Sequence, residues 1–124
     1  MRETEGEPTT LAVEATPSLD TIFEILANRR RRHVLYYLYE QPDGVATLEE
    51  LSGVVESIEA ETQTDANDDD ERRERIKTEL HHAHLPKLED AGVIEHDRRS
   101  ETVRYWTQPS LEEWLEHAHH KERS

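Results

Sequence analysis

The chain contains no cysteine, so disulfides, thiolate-bound metals, zinc-finger chemistry and a cysteine nucleophile are all excluded. Its four glycines form no phosphate-cradling loop and no nucleophile elbow, and the scattered Glu and His residues supply no catalytic constellation. The chain therefore reads as a non-enzyme without a cofactor. No apolar run approaches bilayer length, and "MRETEGEPTTLAVEATPS" lacks the apolar core of a secretory signal, so the expected location is cytoplasmic and away from membranes. Lysine is scarce, with three against twelve arginines.

What the chain has in excess is acid. Asp and Glu number 29 against 15 Lys and Arg in 124 residues, for a formal charge of -14. A chain of this length supports one domain with a core, not two. An acidic surface poor in lysine suits a protein that stays hydrated in concentrated salt, which is a halophilic composition. The basic residues are segregated into 29–32, 72–104 and the last few positions, Arg2 excepted. Net charge therefore opposes indiscriminate nucleic-acid binding, while a local patch can still dock.

Residues 1–17 carry few large apolar side chains and read as a flexible acidic tail. Ser18 caps a first helix in which Leu19, Ile22, Phe23 and Leu26 recur at helical spacing. After Asn28, "RRRRHVLYYLYE" forms a second helix with Val34, Leu35 and Leu38 in phase, ending at the turn "QPDG". Thr47 and Glu50 make a capping box for a third helix, with Leu48, Leu51, Val54 and Val55 on its buried face. From about 56 to 70 the chain is polar and acidic and reads as a loop insertion. A fourth helix follows with Ile76, Leu80 and Ala83 inward. Pro86 lacks an N–H and clashes with the carbonyl four residues back, which predicts a kink or break near His84. Leu85 and Leu88 bury the last turn, Ala91 and Gly92 cap it, and "VIEHDRRSETVRYW" alternates about a polar tip as a β-hairpin does. Ser110 and Glu113 form a second capping box for a fifth helix with Leu111, Trp114, Leu115 and Ala118 on one face, and residues 119–124 are expected to be a disordered end.

The order helix, helix, helix, helix, hairpin, helix, with "NRRRRHVLYYL" upstream and "HLPKLEDAGVIEHD" downstream, resembles the ArsR-like winged helix-turn-helix transcription regulators over residues 18–118. Within that group it is similar to the small acidic winged-helix proteins of halophilic archaea. The resemblance implies a mainly α fold with a small β-hairpin and an extra C-terminal helix. In it, "TLEELSGVV" is the first helix of the motif and "HLPKLEDAGVI" is the end of the recognition helix leading into the wing. The chain departs from the family by placing an acidic loop of roughly fifteen residues where a turn of three or four is usual.

The resemblance implies sequence-specific binding of double-stranded DNA by a homodimeric regulator. On a helical wheel Arg75, Thr78 and His82 lie opposite the apolar face, and these side chains suit base edges in a major groove. Arg72, Arg73, Lys77 and His81 flank them, and Arg98 and Arg99 at the hairpin tip with Arg104 on the returning strand would meet the sugar-phosphate backbone. Terminal helices in the resembled family commonly pair protomers, so Leu19, Phe23, Leu111, Trp114 and Leu115 are the expected dimer contacts. The alternative is a protein-interaction adaptor that keeps the winged-helix shape without DNA.

Arg29 to Arg32 spread around a helix axis, so one or two are expected to neutralise Asp20, Glu24 or the acidic loop while the others touch phosphate. His81 with His84, and His117 with His120, have metal-chelating spacing. Two histidines on one helix face fall short of a site without a partner chain, and no metal is expected. Tyr36, Tyr37, Tyr39 and Trp106 are read as packing residues.

Overall fold

A computed structural model describes residues 17–61 and 69–123. The expected tail, Pro17 apart, and residues 62–68 of the expected loop lie outside the described residues. Each helix start has a local cause. Ser18 accepts the Thr21 N–H to open α1 (Leu19–Leu26), and Asn28 accepts two N–H groups, from Arg30 and Arg31, to open α2 (Arg29–Glu40). Thr47 and Glu50 form the reciprocal capping box that opens α3 (Leu48–Ala60). Without such partners these N–H groups would be orphaned, at a cost of about 1 kcal/mol per cap.

The acidic insertion is shorter than expected, because α3 continues through 56–60. Glu56 is not loop but a buried helical residue, paired with Arg72 of the next helix at 3.0 Å. That helix, α4 (Asp69–Glu79), runs into a π-helical turn (Leu80–His84) and then α5 (Leu85–Asp90). The irregularity expected near His84 takes the form of this π turn, which interrupts the α-helix. The Leu85 N–H donates to the carbonyl of Leu80, five residues back, and this wider turn accommodates a proline that cannot donate to His82 and would crowd it. The extra residue also rotates the helix face. Ala83, expected inward, is exposed, and His84 and Leu85 take the buried positions.

Gly92 ends α5 in the left-handed region, φ 80°. Its N–H reaches the Glu89 carbonyl and the Val93 N–H reaches that of Leu88, the paired bonds of a Schellman cap. The chain then forms β2 (Ile94–Asp97) and β3 (Thr102–Tyr105), the expected hairpin. A third strand, β1 (Val45–Thr47), completes an antiparallel sheet in the order β1-β3-β2, with Ala46 opposite Val103 and Val103 opposite His96. Three residues carry too little alternation to be seen as a strand in sequence.

The last helix, α6 (Pro109–Arg123), starts one residue before the expected box. Proline occupies its first turn, and Glu112 rather than Glu113 reaches back, accepting the Gln108 N–H at 3.1 Å. Residues 119–123 are helical, not a disordered end: His119 stacks on Tyr36, and Glu122 accepts from Arg32 and Tyr36. One core joins all of these elements through Ile22, Ile25, Leu35, Leu51, Leu80, Leu88, Val103 and Leu111, each at most 2 % exposed. No helix among the described residues is long and apolar enough to cross a membrane.

Candidate nucleic-acid interface

The apolar residues of α4 and the π turn, Ile76 and Leu80, anchor this segment on α3, and that anchoring decides what faces outward. Arg75, Thr78 and His82 are all exposed and line one shallow depression, so the structure brings the three expected base-reading residues together. Glu71, Glu74 and Glu79 share its lining. Arg75 lies 3.7 Å from Glu71, and both side chains are well exposed. Such a pair is worth well under about 1 kcal/mol and yields readily to a competing anion or base.

The expected backbone contacts divide sharply. Arg72 must be withdrawn: it is 6 % exposed and bonded to Glu56, so it ties α4 to α3 and cannot reach a phosphate. Arg73 lies half-exposed, 3.8 Å from the other oxygen of Glu56. Lys77 donates to Glu49 at 2.9 Å, an interaction that raises the lysine's pKa and lowers the carboxyl's. His81 sits beside Glu101 and the rings of His82 and His96. On the wing Arg98 donates to Glu89 at 3.1 Å, whereas Arg99 is exposed at the turn. Arg104 is exposed on β3 with its guanidinium 5.7 Å from the centre of the Trp106 ring.

The dimer residues divide as well. Leu111 and Leu115 are fully buried in the protomer's own core and are withdrawn as contacts. Leu19, Phe23 and Trp114 are 52, 47 and 38 % exposed. The rings of Phe23 and Trp114 meet edge to face with centroids 5.2 Å apart, so α1 and α6 present one aromatic ridge.

The arginines at the start of α2 turn inward, and Arg30 meets an acid of the 56–70 segment, one of the expected partners. Arg30 makes two bonds to Glu59, at 2.6 and 2.9 Å, and another to Glu79. Arg31 donates to the backbone carbonyls of Glu24 and Ile25 and lies 3.3 Å from His84 Nδ1. Arg32 grips Glu122 with two nitrogens and donates to the Leu26 carbonyl. Arg29 donates to His33, its neighbour one turn on. Asp20 takes no part in these bonds. Glu59 belongs to the acidic segment expected to supply a partner, whereas Glu122 lies too far along the chain for any sequence signal to have marked it. The pairing with Arg32 holds the Glu122 carboxyl at about 2, far below its ordinary 4.5.

A three-helix core with α3 and α4 as the paired helices, a β2–β3 wing and an added terminal helix defines a winged helix-turn-helix protein. The family described as "Domain of unknown function (DUF7344)" matches residues 23–104, more than half of the chain, and the chain belongs to that family. No curated protein and no solved structure matches it.

Proposed function

We propose that this chain is a cytoplasmic, sequence-specific double-stranded DNA-binding regulator that acts as a homodimer. The observation that carries the reading is the outward face of α4 and the π turn, where Arg75, Thr78 and His82 stand together on the helix that precedes the wing. Arg can read guanine with two bonds, and Thr and His can reach base edges or phosphates. Arg99 and Arg104 give the wing two exposed cations for the adjoining backbone. The aromatic ridge of Phe23 and Trp114 supplies a dimer contact of the kind that anchors interfaces.

Glu71, Glu74 and Glu79 on the same face favour a second reading, an adaptor that docks a basic protein segment there. Selection of bound sequences from random duplexes in high salt separates the two. The regulator yields an enriched site, and Arg75→Ala costs about 1–3 kcal/mol of preference at one base pair. No enrichment at any salt concentration leaves the adaptor. In light scattering the wild type is a dimer and Trp114→Glu a monomer; a monomeric wild type rejects the dimer.

A further inference from the structure

Between the helix face and the wing, three side chains from separate elements converge: His81 of the π turn, His96 of β2 and Glu101 of the hairpin turn. We propose that they form a binding site for a divalent transition-metal ion, which would tie the wing to the recognition helix. One ligand atom from each lies within 4.8 Å of the other two. His96 Nε2 is 3.0 Å and His81 Nδ1 3.7 Å from the same oxygen of Glu101. A tetrahedral ion with bonds of about 2.0–2.1 Å spaces its ligands roughly 3.3–3.5 Å apart, so small side-chain adjustments satisfy it.

The surroundings are hard to explain by packing alone. His96 is 4 % exposed, its Nδ1 is buried without a hydrogen-bond partner, and its ring reaches polar company at the Glu101 carboxylate. An apolar residue would occupy this inward position of β2 without that penalty. Glu101 is the one non-glycine residue with positive φ, 57°, among the described residues. Its carbonyl accepts the Leu48 N–H at the start of α3, which fixes the turn against the helices. The π turn contributes the third member, and such insertions recur at functional sites because they re-aim side chains.

Two imidazoles and one carboxylate select an ion of intermediate softness such as Zn²⁺, Co²⁺ or Ni²⁺, over the soft and hard extremes. A cleft of about 220 Å³ lined by Glu74, Lys77, Thr78 and His81 adjoins the cluster and leaves room for a water as a fourth ligand. The Lys77 ammonium in that cleft is turned to Glu49. This trio is distinct from the pairs read in sequence: His84 points into the core toward Arg31 and Glu79, and His117 and His120 lie on α6.

The test is calorimetric titration of the chelator-stripped full chain with Zn²⁺, alongside the visible spectrum of the Co²⁺ form, and it needs no DNA. One equivalent should bind, with a tetrahedral Co²⁺ spectrum abolished by Zn²⁺. Glu101→Gln and His81→Ala should each weaken binding by about 100-fold or more, since even outer partners of such ligands cost about 10–100-fold. Both positions are partly exposed, which avoids disturbing the buried His96. The double variant His117→Ala/His120→Ala should bind as the wild type does. Absence of binding at millimolar metal, full affinity in Glu101→Gln and His81→Ala, or loss in the α6 variant would overturn the site. None of these results bears on the DNA-binding reading.

Discussion

The arginines of α2 and those of α4 and the wing are the same residue type put to opposite uses. Arg30 and Arg32 are clasped by Glu59, Glu79 and Glu122, and Arg31 by backbone carbonyls at the end of α1. They stitch α2 to α1, α3, the end of α4 and α6. Arg75, Arg99 and Arg104 project into solvent. The difference teaches that a cluster of like charge in sequence is not a patch in space. Four consecutive helical residues point four ways: Arg30, Arg31 and Arg32 each find carboxylates or carbonyls of their own, and Arg29 finds His33. Separated residues, three to seven apart along α4 and the π turn, share a face.

The largest expected effect belongs to the residue that crosses between these groups. Arg72 sits among the α4 arginines but is buried, so Arg72→Ala leaves the buried Glu56 carboxylate with only the longer, 3.8 Å pairing to Arg73 and should cost about 3 kcal/mol of stability in denaturant unfolding. A loss below about 1 kcal/mol, the range of surface pairs, would return Arg72 to the surface group. Next comes Arg30→Ala, which removes a two-bond, partly buried clasp on Glu59 and should cost about 2 kcal/mol. Its DNA affinity, compared at several salt concentrations with that of the wild type, should stay unchanged; a fall without loss of stability would dissolve the contrast.

A smaller effect lies in the acid range. Glu122, faced by Arg32, Tyr36 and His33, has its folded pKa depressed to about 2, so the stability it contributes is present above 4.5 and is lost as pH falls toward 2. His33 and His84 are also depressed from 6.5, by burial, because the folded state disfavours their charged forms. They withdraw stability as pH falls below 6.5, before Glu122 does. Melts at stepped pH should decline through both windows, and Glu122→Gln should flatten only the lower one. An unaltered acid limb in that variant would show that α6 is not held by Arg32. The smallest expected change is at the wing: Arg99→Ala should leave the melting midpoint alone and reduce the slope of log affinity against log salt by about 0.9. An unchanged slope would remove Arg99 from the backbone contacts.

Local physics was legible in the residues themselves. Ser18, the Thr47–Glu50 box, the Gly92 cap and the spacing of Val34, Leu35 and Leu38 act within a turn or two of chain, and each stands where the spacing places it. The outward set Arg75, Thr78 and His82 was legible for the same reason, since an apolar stripe fixes the opposite face of its own helix. Pairings across the fold were not legible. Arg32 with Glu122, Arg72 with Glu56 and the convergence of His81, His96 and Glu101 join residues whose separation carries no periodic signal. The phase of the helix beyond Leu80 was settled by the π turn, a choice between hydrogen-bond ladders that the burial of His84 and Leu85 decides. Composition and spacing set which elements form and which faces they bury; which charge meets which was left to packing, because an ion pair requires only proximity and many carboxylates were on offer.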